Sequence, residues 1–358
     1  VYPYGDTFRT ILGKVSVIPS EEKDYYLARG YLLNDRVGSS YLEKEYEDYL
    51  KGSKALYKTV NSHQLELVRE GKRGNDIVLT IDIDLQKQLE DILNEEVINT
   101  KKEANTTYYK HSYGVIMDPN TGEILAMAGR EAVSNGDGSY HTVDVTTGIL
   151  TSPMTCGSVV KGASMLVAYN TGAVHFGEYM MDECIKIAGT PKKCSHANLG
   201  RINDIDALAL SSNVYQFKAA MRVAGANYQY NMPLVINDNA FDTYRNTFKE
   251  FGLGVKTGID LPVESVGTTS DNKTPGLLLD FVMGQYDTYT PMQLSQYIST
   301  IANGGNRLKP HLLKEVHEAS DSSSLGKVIY TYPVTVLNKV NTSKENLDRV
   351  KEGFHAVT

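Results

Sequence analysis

Two residue types that can cooperate in acyl transfer lie three positions apart in the stretch TCGSVVKGASMLVAY, where Ser158 precedes Lys161. Residues with this spacing at the start of a helix face the same side, so the lysine amine can reach the serine hydroxyl. A lysine acts as a base only when burial or nearby cations lower its pKa, and the apolar run after Lys161 can bury it. The free N–H groups of a helix start also favour negative charge on an attacking oxygen. The pair predicts a serine nucleophile with a lysine base, and the alternative is that Ser158 only caps a buried helix.

The spacing alone does not identify the site, because the serine-x-x-lysine pattern occurs four times in the chain. The other pairs, which lie in polar and turn-like sequence, are Ser20 with Lys23, Ser270 with Lys273, and Ser324 with Lys327. Only the pair at Ser158 is followed by residues that can bury the lysine. Gly157, directly before this serine, permits close approach of the backbone.

A second candidate cluster lies in ALALSSNVYQFKAAM, where Ser211 and Asn213 separate an apolar helix from the helical pattern that begins at Val214. A hydroxyl and an amide placed there can project into a cleft. In that position they can relay protons and hydrogen-bond a peptide-like substrate. The alternative is a helix cap, for which serine and asparagine are the usual residues.

The composition is that of a folded globular protein, since 41% of its 358 residues are hydrophobic and 22% are charged. This length can bury more than one core, so one large and one smaller domain are expected. The net charge of −7, with scattered lysines and arginines, makes a nucleic-acid partner unfavourable. No apolar stretch approaches the roughly 20 residues that cross a bilayer. The chain opens without a start methionine, so we expect it to be part of a longer protein.

Three cysteines are too few for a disulfide scaffold. Cys184 and Cys194 flank the turn-prone segment IKIAGTPKK and can meet across a hairpin, but the sequence leaves their pairing open. Cys156 is left single and is expected to be a small side chain near a helix start. No histidine and cysteine spacing matches a zinc site.

The order of predicted elements favours an α+β fold. Residues 1 to about 70 indicate short amphipathic helices in a small accessory module, and a domain boundary is expected near residue 72. Ile77 to Ile83 alternate as a strand, and a helical pattern follows Asp84. Strands at both ends and a helical middle argue against a doubly wound sheet.

Two local signals are specific. The segment YGVIMDPNTGEILAMAG predicts a hairpin around the turn Asp118 to Gly122. The segment TPMQLSQYISTIANGG predicts a helix with Thr290 as N-cap, Gln293 in the capping-box position and Gly304 as its stop. The segment KVIYTYPVTVLNKV returns to strand-like patterns.

CGSVVKGAS followed by ALSSNVY resembles the first two motifs of the penicillin-binding transpeptidases, S-x-x-K and S-x-N. The similarity extends over nearly the whole chain. The segments that carry it include YLLNDRVGSSYLEKEYEDYLKG, GVIMDPNTGEILAMA, FGLGVKTGIDLPVES and TPMQLSQYISTIANGG. The chain is identified as similar to class B penicillin-binding proteins, in particular the elongation-type enzymes of Gram-positive bacteria.

The resemblance implies a peptidoglycan D,D-transpeptidase that is inhibited by β-lactams. By position, Ser158 is the acylated nucleophile, Lys161 is its base, Ser211 shuttles a proton and Asn213 holds the amide of the donor peptide. It also implies a penicillin-binding/serine β-lactamase-like domain, with an antiparallel sheet and a helical subdomain, over residues 73–358. Residues 1–72 are then a pedestal, or dimerisation-type, domain fragment.

The family's third motif, K-T-G on the strand that lines the cleft, is expected after a segment similar to RVKEGFHAVT, and the sequence stops at Thr358. A literal K-T-G at Lys256–Gly258 and an S-D-N at Ser270–Asn272 are interpreted as decoys outside the cleft. We expect this exact chain to be catalytically impaired and its parent to be active.

The resemblance further implies a membrane anchor before Val1, a catalytic domain outside the cell, and partnership with a glycosyltransferase and scaffold proteins of the elongation machinery. No cofactor is expected, since serine acyl transfer needs neither metal nor nucleotide. Three alternatives remain open: a non-catalytic scaffold, a serine β-lactamase or penicillin sensor, and a carboxypeptidase that uses water as acceptor.

Overall fold

The computed structural model describes residues 2–61, 64–320 and 322–358. Its α-helices are α1 (Arg9–Leu12), α2 (Lys23–Ala28), α3 (Tyr41–Glu45), α4 (Glu47–Leu50), α5 (Ile83–Lys102), α6 (Gly148–Thr151), α7 (Lys161–Asn170), α8 (Asp204–Ala209), α9 (Asn213–Val223), α10 (Ala240–Glu250), α11 (Pro275–Val282), α12 (Pro291–Ala302) and α13 (Lys344–His355). Two short 3₁₀ helices cover Ser20–Glu22 and Gly157–Val160.

The strands are β1 (Val15–Val17), β2 (Arg36–Gly38), β3 (Leu56–Asn61), β4 (Gln64–Arg69), β5 (Asp76–Leu79), β6 (His111–Met117), β7 (Ile124–Ser134), β8 (Tyr140–Asp144), β9 (Met180–Asp182), β10 (Gly200–Ile202), β11 (Asn306–Leu308), β12 (Leu313–His317), β13 (Val328–Thr331) and β14 (Val336–Lys339). Every pairing between these strands is antiparallel. The described residues therefore form an α+β protein with antiparallel sheets, as the sequence predicts.

The chain divides into two compact units. The first contains residues up to Ile149 together with Gly258–Glu264 and Pro310–Thr335, and the second contains Leu150–Thr257, Ser265–Lys309 and Val336–Thr358. These units follow contacts rather than sequence order, and the boundary predicted near residue 72 stays a prediction.

In the first unit, helix α5 lies against a sheet with the order β6-β7-β8. The buried side chain of Gln86 fixes this packing, since its amide donates to the Met127 carbonyl and its oxygen accepts the Met127 N–H, each at 2.9 Å. A second sheet, β13-β12-β5, belongs to the same unit. Satisfied polar groups of this kind are what allow a charged and polar helix face to be buried.

The second unit contains a hydrophobic core, and helix α7 lies within it, buried from Lys161 to Tyr169. Helices α9, α10 and α13 pack against α7. Gly162 makes part of this packing possible, because a Cβ at that position would lie 2.4 Å from the Phe354 ring. A helix that is buried on every face is expected to be apolar on every face, and the sequence after Lys161 has this character.

Several local predictions are confirmed. Strands β6 and β7 form the hairpin predicted around Asp118 to Gly122. Helix α12 begins at Pro291 with both capping-box bonds between Thr290 and Gln293 in place. Strands β13 and β14 lie in the segment predicted to be strand-like.

Other predictions differ from the structure at their boundaries. Helix α5 begins at Ile83 rather than after Asp84, because the Asp82 carboxylate accepts the N–H groups of Asp84 and Leu85. Strand β2 lies inside the stretch predicted to be helical. Its pairing with β1 overrides the local helical pattern.

Candidate active site

Ser158 lies in the 3₁₀ turn Gly157–Val160 that leads directly into helix α7, and it is exposed to solvent. Side chains at i and i+3 of a 3₁₀ turn eclipse each other, so Ser158 and Lys161 share one face. The N–H of Gly157 donates to the Gly284 carbonyl at 2.9 Å. A Cβ at Gly284 would lie 2.0 Å from the Gly157 oxygen, so glycine is needed for the two segments to touch.

The hydroxyl of Tyr297, in helix α12, makes hydrogen bonds to the backbone at the end of this turn. This hydroxyl donates to the Val159 carbonyl at 3.0 Å and accepts the Ala163 N–H at 3.2 Å. An α-helix pairs this carbonyl and this N–H with each other directly. The tyrosine thus bridges the backbone where the 3₁₀ turn becomes an α-helix. The sequence predicts the helix that carries Tyr297 but gives no signal for this bridge.

Lys161 is the first residue of helix α7, and its side chain is buried, with 2% of the residue exposed. Its amine donates to the Ser211 carbonyl at 2.7 Å, to the Ser211 hydroxyl at 3.1 Å and to Oδ1 of Asn213 at 2.7 Å. The structure therefore brings three of the four predicted site residues into direct contact. An ammonium group has three donors, and these three acceptors match them.

Burial lowers the pKa of the Lys161 amine to about 8, and the negative charge of Asp182 opposes part of this decrease. A lysine with this pKa is neutral in a substantial fraction of molecules near physiological pH. The neutral amine has two N–H groups and one lone pair, so losing a proton frees it to accept one from a neighbouring hydroxyl. Lys161 therefore has the lowered pKa that a lysine needs in order to act as a base.

Ser211 and Asn213 flank the start of helix α9, but the residue that caps this helix is Ser212. The Ser212 hydroxyl accepts the Tyr215 N–H at 2.9 Å. Ser211 has a φ of 53°, in the left-handed region that residues other than glycine rarely adopt. Such backbone conformations cluster at functional sites. Because Ser212 takes the capping role, the side chains of Ser211 and Asn213 remain available to contact Lys161.

A buried support for this helix start was not found from the sequence. The carboxylate of Asp182, at the end of strand β9, accepts hydrogen bonds from the hydroxyls of Ser195 and Ser212. Ser195 in turn accepts the N–H groups of Asn213 at 3.0 Å and Val214 at 3.2 Å. Asp182 and Ser195 lie in no recognisable motif, and only Cys184 and Cys194 mark this segment in the sequence.

Cys184 and Cys194 form a disulfide, which settles the pairing that the sequence leaves open. The bond closes a short hairpin in which Ile185 pairs with Lys193. The Cys194 carbonyl accepts the side-chain amide of Asn213 at 3.3 Å, so the hairpin touches the candidate site.

A cleft of about 570 Å³ opens beside Asn213. Its apolar wall comes from Phe217, Leu277 and Met283, and the ion pair between Lys193 and Asp280 also lines it. The volume is within the range of sites that hold small molecules and peptide ends.

The two motifs interpreted as decoys lie outside the helices and strands of the structure. Lys256–Gly258 is in no strand, and Thr257 is fully buried. In the irregular segment Ser270–Asn272, the Ser270 hydroxyl accepts the Asn272 N–H at 3.3 Å. The lysines of the remaining serine-x-x-lysine pairs, Lys23, Lys273 and Lys327, are exposed.

Comparison with protein families gives two matches that together cover most of the chain. The family described as penicillin binding protein transpeptidase domain matches residues 112–358, and the one described as Penicillin-binding Protein dimerisation domain matches residues 1–79. The chain belongs to the class B penicillin-binding proteins. This class B chain is 43% identical to Penicillin-binding protein 2A of Bacillus subtilis, with 99% of the chain covered. It is 41% identical to Penicillin-binding protein H of the same organism, with 100% of the chain covered.

The class B fold is matched by a solved structure, penicillin-binding protein 2B from Streptococcus pneumoniae strain 5204. The TM-score is 0.88 at 34% identity, with 97% of this chain and 60% of that chain covered. The chain spans about half the length of the curated relatives it matches, 51% for both Bacillus subtilis proteins. Within the described parts of this class B chain, no helix combines the length and apolar character needed to span a membrane.

Proposed function

We propose that the protein is a serine-type peptidoglycan D,D-transpeptidase in which Ser158 forms the acyl-enzyme. The observation that carries the proposal is the buried amine of Lys161, held by Ser211 and Asn213 one turn after an exposed serine. This arrangement supplies a base in contact with a proton relay, and a nucleophile one turn before the base. Membership of the class B family and the name Peptidoglycan D,D-transpeptidase carried by relatives support the same reaction.

In the first half-reaction, neutral Lys161 accepts the proton of the Ser158 hydroxyl while Oγ attacks the carbonyl between the two terminal D-alanines. The carbon–oxygen ester bond forms, and the peptide carbon–nitrogen bond breaks. The departing amine takes up this proton through the hydrogen bond between Lys161 and the Ser211 hydroxyl, so terminal D-alanine leaves with a neutral amino group and its carboxylate unchanged. Lys161 returns to the neutral form at the end of this half.

In the second half-reaction, an amine from a neighbouring stem peptide attacks the ester carbon. The amine loses its proton to the same relay, a new peptide bond forms, the carbon–oxygen ester bond breaks, and Ser158 recovers its hydroxyl proton. Asn213 holds the amide of the donor peptide while its Oδ1 keeps Lys161 in place. The backbone N–H of Ser158 contributes to stabilising the oxyanion in both halves.

The setting of the reaction is part of the proposal. The class B resemblance favours a membrane-anchored protein with its catalytic unit outside the cell. It also favours a glycosyltransferase that polymerises glycan strands, with scaffold proteins of the elongation machinery, as partners. β-Lactams mimic the D-alanyl-D-alanine bond and are expected to acylate the same serine.

The test is acylation of the full-length protein by a fluorescent penicillin, followed by peptide mapping of the adduct. We expect the label on the peptide that contains Ser158 and no label in Ser158→Ala. Ser270→Ala is the matched control, because Ser270 belongs to both a serine-x-x-lysine pair and the S-D-N decoy. Label on another residue would overturn the proposal. Rapid loss of the label would favour a β-lactamase, and cell-shape function retained by Ser158→Ala would favour a scaffold.

A further inference from the structure

We propose that Asp182 is a positioning residue of this site: its hydrogen bonds to two serine hydroxyls fix Asn213 at the start of helix α9, and its negative charge acts on the Lys161 amine. The inference rests on the proposed function, since it concerns the base and the amide of the same reaction. Asp182 is remote in sequence from both motifs and belongs to neither.

The geometry is a buried carboxylate that organises two hydroxyls. Asp182 is only 6% exposed, and its Oδ2 accepts the hydrogen bond of the Ser195 hydroxyl at 2.7 Å and that of the Ser212 hydroxyl. A carboxylate accepts hydrogen bonds and donates none, so it forces both serines to act as donors toward it. Their oxygen lone pairs are left to accept from the helix.

The two serines use those lone pairs on the first turn of α9. Ser195 accepts the N–H groups of Asn213 and Val214, and Ser212 accepts that of Tyr215. The first N–H groups of a helix have no partner within the helix. The N–H groups of Asn213, Val214 and Tyr215 are therefore bound by two hydroxyls that Asp182 orients. This fixes the backbone of Asn213, whose side chain holds the Lys161 amine.

The charge of Asp182 also acts on the base. Burial lowers the pKa of Lys161, and Asp182 is the charged group that opposes this effect. Removing the charge without removing the hydrogen bonds should let the pKa of Lys161 decrease further. When the acylation rate constant is plotted against pH, its acid limb is the range in which the rate decreases as Lys161 becomes protonated. This limb would then move to lower pH, because the amine would stay neutral there.

Other charged side chains near helix α7 are held in ion pairs. On helix α9, Lys218 pairs with Glu183 and Arg222 pairs with Glu178. On helices α10 and α13, Arg245 pairs with Asp287 and Arg349 pairs with Asp204. The remaining charged groups of α10 and α13 are exposed or partly exposed, where solvent screens them. A lysine from the family's third motif in the full-length protein would act equally on every variant. It therefore does not change the difference between their pH profiles.

A purely structural cap would predict a different outcome from a positioning residue. Loss of a cap lowers thermal stability and the fraction of active protein, but it does not move the pH dependence of the active fraction. The acid limb of the rate profile therefore separates the two roles, and it is measured on the second-order rate constant for acylation by a fluorescent penicillin.

The experiment compares Asp182→Asn with the full-length wild type between pH 5.5 and 9.5, a window set by the pKa of about 8. Asparagine keeps a side-chain oxygen that accepts from the serines but removes the charge. We expect the acid limb to move to lower pH by about half a unit or more. Asp204→Asn, which removes another buried carboxylate in the same unit, should lower the melting temperature and leave the acid limb unchanged.

An Asp182→Asn protein that acylates with the wild-type acid limb overturns the inference. If Asp182→Asn does not fold, Ser195→Ala carries the test, because it keeps the charge and removes one hydroxyl. We then expect an acylation rate constant about 3- to 10-fold lower with an unmoved acid limb, and a wild-type rate constant overturns the inference. Absence of acylation in the wild type itself would instead overturn the proposed function.

Discussion

The amine of Lys161 lies 2.7 Å from Oδ1 of Asn213, so the first two motifs meet through a direct hydrogen bond across 52 residues of sequence. The same amine contacts both the carbonyl and the hydroxyl of Ser211. One buried amine thus connects two separate helices.

Replacing the base should remove acylation without removing the fold. Lys161→Met keeps a long, flexible side chain in the buried position but has no amine, so Ser158 keeps its proton. We expect the rate constant for penicillin acylation to decrease about 10²- to 10⁴-fold. Stopped-flow fluorescence measures this, with circular dichroism as the check on folding. Lys256→Met is the matched control, because Lys256 belongs to the Lys256–Gly258 motif whose threonine, Thr257, is buried. This variant should acylate at the wild-type rate.

Acylation should depend on pH through Lys161. Its pKa is lowered by burial to about 8, so the amine is protonated and inactive as a base well below that pH. We expect the acylation rate constant to increase tenfold per pH unit below pH 7 and to level off above pH 9. A profile that is flat between pH 6 and pH 9 would contradict the role of Lys161 as base.

The hydroxyl of Tyr297 should matter for both stability and rate. Tyr297→Phe leaves the Val159 carbonyl and the Ala163 N–H without the hydroxyl that bridges them. We expect the free energy of unfolding to decrease by about 1–3 kcal/mol, together with slower acylation because the turn that carries Ser158 loosens. Urea denaturation and stopped-flow acylation measure the two effects.

A second tyrosine supplies the control for that experiment. The Tyr31 hydroxyl donates to Oε1 of Glu47 at 2.8 Å, in the other compact unit of the chain. Tyr31→Phe should therefore lower stability but leave the acylation rate constant of the folded protein unchanged. Equal rate constants for Tyr297→Phe and Tyr31→Phe would show that the bridge has no part in the reaction.

The disulfide between Cys184 and Cys194 should support the site from outside. Both cysteines are exposed, so a reductant has access to the bond. Opening this short loop is expected to cost about 2–3 kcal/mol and to slow acylation several-fold, because the Cys194 carbonyl no longer holds the Asn213 amide. The measurement is acylation with and without dithiothreitol. A variant with both cysteines changed to serine should be slow and insensitive to the reductant.

Part of the site was predictable because its signals are local. A serine and a lysine three residues apart, followed by a buried run, define the turn and the start of α7 in a single stretch of sequence. The capping box at Thr290 and the hairpin at Asp118 to Gly122 are likewise local, since each bond joins residues close in the chain.

The rest depends on contacts between distant residues that leave no pattern. Asp182 reaches Ser212 across 30 residues, and Tyr297 reaches Val159 across 138. Neither contact has a spacing or a composition that marks it, and an isolated acidic or aromatic residue is usually an ordinary surface or core residue. The role of Ser212 as the cap was also hidden, because Ser211, Ser212 and Asn213 are all residue types that cap helices.

The contact between Gly157 and Gly284 limits how this protein can evolve. Any amino-acid substitution at position 284 adds a Cβ that collides with the backbone just before Ser158. If Ser158 reacts with both β-lactams and the stem peptide, substituting this glycine displaces the serine for both reactions. Such a substitution would therefore not protect a bacterium from the drug without also impairing the reaction with the stem peptide. Drug-resistant alleles should therefore carry substitutions elsewhere around the cleft and retain glycine at this codon.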